Sequence, residues 1–235
     1  MALLAYSLSN SNKIQTIAKE TMSCLFCFSS DKLSPEERKG KYGDAWGQYA
    51  DNENQFKVKL CGAPCAEPGC WIGSMLCFPC AQMKVRHMAL NHVEPGSGWS
   101  NYKCCQGMFG GCCCIQPGNL GESSCPKTCM CIEGCCCPGM AISATQAMIM
   151  QQYALGLDED DVRLIRCNNC LQFLACVASL LNICIDFDGD DAVVGIINAI
   201  ADIVFCCVSG CMTARTFHEI KEREKEAPEK YQMER

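Results

Sequence analysis

The sequence has little of what most catalytic sites are built from. Only three histidines occur, His87, His92 and His218, and the chain contains no GxxxxGK[ST], HExxH or GxSxG motif. Phosphate-loop, zincin and serine-hydrolase chemistry therefore lack a carrier. Positive charge is also short. Twenty Lys and Arg stand against 26 Asp and Glu, for a net charge of −6, with no basic cluster. That balance argues against nucleic acid as a partner, because neutralising phosphates needs clustered cations. The N-terminal MALLAYSLSNSNK lacks a basic leader and a long apolar core, and no Arg-rich transit segment follows. The expectation is a reducing compartment, where disulfides do not persist.

What is abundant is cysteine. Twenty-five of the 235 residues are Cys, some in unbroken runs. This exceeds the ~8–10% that marks secreted disulfide scaffolds. Without persistent disulfides, so many thiols imply metal binding, lipidation or packing as small apolar residues.

Four segments can be read along the chain. Residues 1–59 form a polar leader, in which Ser34-Pro35-Glu36-Glu37 marks a helix start. Residues 60–156 form a Cys-rich module. Between Cys61 and Pro138 it holds 16 of the 25 cysteines, with many Gly and Pro and little periodicity. Cys61-x3-Cys65 recurs 64 residues later as Cys125-x3-Cys129, each pair leading into a run of good helix formers, 81–90 and 141–155. This reads as an internal duplication, with chance similarity in a biased composition as its rival. Residues 157–213 open with an acidic helix start at Leu157–Asp161 and continue as two apolar stretches, 170–185 and 192–212, around the acidic turn 186–191. The turn lacks the twelfth-position Glu of a calcium loop. Residues 214–235 are a charged tail. The fold class expected is mainly α: an irregular, metal-stapled Cys-rich module, an apolar helical hairpin and a charged C-terminal helix.

The hairpin raises the question of a bilayer. At ~1.5 Å rise per residue the second stretch is long enough to span one and the first is short. Arg163 and Arg166 precede the hairpin, Arg215 and Lys221 follow it, and its turn is acidic, so the positive-inside rule places both termini in the cytosol. Asn198 and Asp202 share one helical face and mark a possible ion path, with structural hydrogen bonding as the blander role. A two-helix core without lipid is the alternative.

Cysteine spacing points to two chemistries. The pairs Cys61/Cys65 and Cys77/Cys80 lie within 20 residues and form a zinc quartet, with His87 as a substitute ligand. The pairs Cys24/Cys27 and Cys167/Cys170 share the CxxC spacing. Three adjacent thiols do not easily reach one tetrahedral ion. Cys112, Cys113 and Cys114, and Cys135, Cys136 and Cys137, are therefore candidates for thioester lipidation, as are Cys206, Cys207 and Cys211 beside the apolar helix. Small-residue packing is the competing reading for these. Dithiol exchange at Cys77-Phe78-Pro79-Cys80 lacks a βαβ setting.

Trp46-Gly47-Gln48-Tyr49, the spaced Cys61, Cys65 and Cys70, and Trp71-Ile72-Gly73-Ser74-Met75-Leu76-Cys77-Phe78-Pro79-Cys80-Ala81-Gln82 together resemble the onzin/cornifelin and plant cadmium-resistance family. Two departures are visible. Phe78 interrupts the family's Cys-Pro-Cys, and Cys135-Cys136-Cys137-Pro138-Gly139 lacks the closing cysteine. The resemblance implies a small, non-enzymatic, membrane-associated oligomer linked to divalent-metal handling or to control of cell size and number.

The leading expectation is thus a membrane-associated Cys-rich scaffold or subunit, held by zinc and acylation. Its partners would be membrane lipid and either further copies of itself or a larger complex. The alternatives are a soluble structural subunit of a large intracellular assembly, an oligomeric divalent-cation channel lined by Asp202, and a disulfide-rich exported protein.

Overall fold

Proline decides where the helices begin. A computed structural model describes residues 46–108, 116–164 and 191–233. Five of its helices carry Pro in their first two positions: α1 (Ala63–Ala66), α2 (Pro68–Leu76), α3 (Phe78–Val93), α4 (Pro126–Cys136) and α5 (Pro138–Tyr153). Pro has no N–H to lose there, and its fixed φ suits the first turn. A sixth helix, α6, runs for 43 residues from Asp191 to Met233. Among the described residues the fold is helical with no strand, as the composition implied.

Consecutive helices meet at single residues. Glu67 joins α1 to α2 (φ −135°, ψ 66°), Cys77 joins α2 to α3 (φ −145°, ψ 80°), and Cys137 joins α4 to α5 (φ −139°, ψ 59°). Glu67 and Cys137 precede Pro directly, and a residue there is pushed out of the α region. At Cys77 the break comes from Pro79, which cannot donate back to extend α2.

The two longer pairs repeat one design. A short helix, a cysteine joint and a 16-residue helix occur once as α2–Cys77–α3 and again as α4–Cys137–α5. The joints make the same bonds: Cys77 N to Gly73 O and Ala81 N to Cys77 O in the first pair, Cys137 N to Glu133 O and Ala141 N to Cys137 O in the second. The equivalent positions lie 60 residues apart, not the 64 suggested by Cys61/Cys65 and Cys125/Cys129. Helices that the sequence suggested at 81–90 and 141–155 extend N-terminally to the prolines.

The membrane expectation requires correction, and with it the placing of both termini in the cytosol. The first apolar stretch, 170–185, lies outside the described residues. The second does not stop at residue 212 but continues within α6 into the charged tail. Between Ser209 and Ile220 that helix is largely core: Met212, Ala214 and Ile220 are buried together with Thr213, Arg215, Thr216 and Glu219. No helix among the described residues is long and apolar enough to cross a membrane. The physical reason is that the polar groups at its C-terminal end are partnered inside the protein. The boundary expected at 213/214 therefore falls mid-helix.

Two compact units are present, residues 1–50 with 159–190, and residues 51–158 with 191–235. In the first, the described part comprises a 3-10 turn, Gly47–Tyr49, whose Tyr49 ring stands 6.2 Å from Trp46, and a helical segment, 159–164, carrying an Asp160–Arg163 pair at 3.3 Å. The second unit holds all six helices. Its core groups Leu90, Tyr102, Met130 and Ala141, with Met83, Trp99, Cys129 and Met148 packed against them. Asp158 ties its ends together, accepting from Leu60 N at 3.2 Å and from the buried Arg215 Nη1 at 2.8 Å, while the Phe56 ring covers that guanidinium at 4.1 Å. Residues 52–54 close the end of α5. Gly156 N donates to Asn54 O at 2.7 Å, and Asn52 Nδ2 donates to Leu155 O at 3.0 Å.

Candidate metal centre

Glu133 is the hub of the second unit. It sits on the last turn of α4 with its side chain fully buried. A buried carboxylate is tolerated only when its oxygens are partnered. Oε1 accepts from Arg86 Nη2 at 2.8 Å, and Oε2 accepts from Tyr102 Oη and from Cys105 N, both at 2.8 Å. Arg86, fully buried on α3, also donates from Nη2 to Ala141 O at 2.8 Å and from Nε to Thr145 Oγ1 at 2.9 Å. The Thr145 hydroxyl lies 3.1 Å from Gln82 Oε1, and Gln82 Nε2 donates at 2.9 Å to Thr213 Oγ1. A polar network thus runs from α4 through α3 and α5 to α6.

Three thiols gather at the Glu133 end of this network. One ligand atom each from Cys104, Cys105 and Glu133 lie within 4.8 Å of one another. Cys137, one helical turn beyond Glu133 at the α4–α5 joint, is in hydrogen-bonding reach of Cys105. The segment that supplies Cys104 and Cys105 is bent hard to do so. Cys105 (φ 45°), Gln106 (φ 50°) and Gly107 (φ 71°) stand consecutively in the left-handed region. Non-Gly residues there cost of order 1–3 kcal/mol and persist where surrounding contacts impose them, often at ligand clamps. Here the imposing contacts are Cys105 N to Glu133 and Cys104 N to Glu122 Oε1 at 2.7 Å.

The electrostatics hold these thiols protonated in the absence of a cation. Burial first, and the nearby Glu133 carboxylate second, push the Cys104, Cys105 and Cys137 thiols above their ordinary range. Tyr102 is raised for the same two reasons, which keeps it a donor to Glu133. Glu122 goes the other way. Burial would raise it, but backbone donors from Gly118, Cys104 and Leu120 outweigh that and hold it below the usual carboxylate range.

Three sulfurs and a carboxylate are the donor set of a zinc-class ion, for which Zn–S is about 2.3 Å and Zn–O about 2.0–2.2 Å. Tetrahedral ligands then stand roughly 3.4–3.8 Å apart, so closing on an ion asks the cluster to contract by about 1 Å. Arg86 and Tyr102 already orient the carboxylate, the outer support that metal ligands use.

The residues singled out from spacing fall elsewhere. Cys77 and Cys80 are joined in a disulfide, so in this form their sulfurs are not open to an ion shared with Cys61 and Cys65, which are both exposed. His87 stacks on Trp99 with centroids 5.1 Å apart. Of the lipidation candidates, Cys112, Cys113 and Cys114 lie outside the described residues, as do Cys24, Cys27, Cys167 and Cys170. Cys135, Cys136 and Cys206 are exposed, and Cys207 and Cys211 are half-buried. Cys137 lies within hydrogen-bonding reach of Cys105. Asp202 is exposed, and the Asn198 side chain lies outside the described set.

Cys104, Cys105 and Glu133 went unrecognised in the sequence, although a signal existed. Glu133 is the one charged residue between Thr128 and Leu157, and a lone charge in so apolar a stretch has to find a buried partner. No protein-family model matches the chain, and neither the curated proteins nor the solved structures contain a match. Function is therefore read from this geometry.

Proposed function

We propose that the chain binds one zinc-class divalent cation through Cys104, Cys105, Cys137 and Glu133, and acts as a metal-handling scaffold without catalysis at the metal. The observation that carries this reading is the convergence of one buried and two half-buried thiols on a buried carboxylate whose other contacts are already satisfied. Four protein donors leave no open position for water or substrate, which suits a structural or carrier site rather than a catalytic one. Because the thiols begin protonated, the cation has to displace protons, and its affinity falls as pH falls. The softness of three sulfurs favours zinc or cadmium over calcium or magnesium.

The test is metal stoichiometry of the full chain, reduced, stripped with chelator and reloaded with zinc. One tightly held equivalent is expected to disappear in Cys104→Ser/Cys137→Ser and to survive in Cys61→Ser/Cys65→Ser. Loading with cadmium instead should produce a thiolate-to-metal ultraviolet band with the same dependence. Retention of the tight equivalent in the first variant, or its loss in the second, would overturn the assignment.

A further inference from the structure

The Cys77–Cys80 disulfide stands apart from the other cysteines. It is the one disulfide among the described residues, while the neighbours Cys104 and Cys105 and the run Cys135–Cys137 are thiols. Both of its cysteines are exposed. As a structural staple it does little, since the stabilisation expected from a cross-link grows with loop length and this one encloses two residues.

Its position favours chemistry. Cys77 is the N-cap of α3, its carbonyl accepting the first helical bond from Ala81 N at 3.1 Å, and its own side chain makes no capping hydrogen bond. A helix N-terminus favours negative charge and lowers the pKa of a thiol placed there. Cys80 lines an open cleft of about 490 Å³, together with Gly69, Cys70, Gly73, Lys84 and Phe217. A Cβ added to Gly69 or Gly73 would meet nothing within 4 Å. These two glycines, one turn apart on α2, leave a bare strip of backbone along the cleft, room for an extended segment to lie beside the sulfur.

We propose that Cys77–Cys80 is a thiol–disulfide exchange site that accepts two electrons from a peptide or protein dithiol seated in this cleft. The first thiolate of the substrate attacks Cys80 Sγ. A substrate–Cys80 disulfide forms as the Cys77–Cys80 bond breaks, and the electron pair departs on Cys77 Sγ, which the α3 terminus stabilises until it takes a proton. The second substrate thiolate then attacks its own partner sulfur in the mixed disulfide. Cys80 leaves with the electron pair and is protonated. The substrate ends as a disulfide, oxidised by two electrons, and Cys77 and Cys80 end as two thiols. The site is independent of the metal cluster, and neither proposal requires the other.

The test uses the oxidised full chain and two reductants, dithiothreitol and a synthetic Cys-x-x-Cys dithiol peptide, with the state of Cys77 and Cys80 followed by alkylation and site-resolved mass spectrometry. The peptide should reduce the chain's disulfide at least about tenfold faster than it reduces an isolated oxidised peptide of residues 74–83. Gly73→Phe, which fills the cleft, should remove that advantage and leave reduction by dithiothreitol unchanged. Gly69→Phe serves the same purpose if the first variant fails to fold, as judged by circular dichroism. A rate no faster than that of the isolated segment would overturn the proposal, as would a cleft variant that slows both reductants alike or neither.

Discussion

The two helix–cysteine–helix pairs share a backbone and differ in what stands one turn before the joint. In α2–Cys77–α3 that position is Gly73, over open space, and the joint cysteine is exposed and disulfide-bonded. In α4–Cys137–α5 it is Glu133, buried against Arg86, and the joint cysteine is half-buried beside Cys105. One bend thus presents a sulfur to solvent or to an interior carboxylate, depending on a single neighbouring residue. The joint is the constant, set by proline, and the residue one turn earlier is what differs.

The most severe way to break this contrast is to remove Glu133. Glu133→Ala leaves Arg86 charged and buried without its partner, so a loss of about 3–5 kcal/mol is expected in denaturant unfolding of the metal-free chain. The double variant Glu133→Leu/Arg86→Met takes away both charges and should recover most of it, because a buried pair is often no better than apolar residues of similar size. A double variant as unstable as the single one would show that the wider network through Tyr102, Thr145 and Gln82 depends on the pair.

Exchanging the joint cysteines sharpens the contrast. Cys137→Ser should weaken zinc binding by more than about 100-fold, the upper end of what is lost when only an outer partner of a ligand is removed. Cys77→Ser should leave zinc affinity unchanged while abolishing dithiol exchange. Competition with a chromophoric chelator reads the first, and alkylation mass spectrometry the second. Equal losses of zinc in both variants would mean that the two pairs do not divide the work.

Each pair also has a carboxylate held ionised nearby, and acid should expose both. Burial alone would raise Glu67, but hydrogen bonds from Lys221 at 2.8 Å and His218 at 3.2 Å outweigh it, and its pKa lies below the ordinary 4.5. Glu122 is lowered by its backbone donors. A carboxylate depressed on folding contributes stability that is fully present above the unfolded pKa and is lost as pH falls through the folded value. Unfolding free energy of the metal-free chain should therefore decline as pH falls below about 4.5. Glu67→Gln/Glu122→Gln should flatten that decline, and an unchanged acid limb in this variant would count against these two residues as its source.

How much of this was legible beforehand varied with the kind of signal. Helix formers at 81–90 and 141–155 announced α3 and α5, because propensity and proline placement are local. The membrane expectation failed because the apolar stretch was cut at residue 212, whereas α6 runs on through Thr213, which accepts from Gln82 on α3, and Arg215, which pairs with Asp158. Those contacts span 131 and 57 residues. The zinc quartet of Cys61, Cys65, Cys77 and Cys80 was read from a purely local signal. Spacing within 61–80 weighs cysteines near in sequence, whereas Cys104, Cys105 and Cys137 meet only after α3 and α4 have packed. The repetition read at an offset of 64 was aligned on cysteines, whereas the helix–cysteine–helix pairs recur at 60, on the joints that proline creates.

The smallest effect separates the two pairs at the level of a single methyl group. A Cβ at Gly134, on α4, would stand 3.3 Å from Pro79 Cα, at the contact where the two pairs touch, whereas one at Gly73 meets nothing within 4 Å. Gly73→Ala should therefore raise stability by about 0.5–1 kcal/mol through helix propensity alone. Gly134→Ala gains the same propensity and loses it to displacement of α4 from the start of α3, for a net loss of about 1 kcal/mol. The two midpoints in urea should move in opposite directions. If both variants were stabilised, the α3–α4 contact would be loose enough to absorb a methyl group, and the carboxylate network behind it would be less tightly positioned than the bonds at Glu133 require.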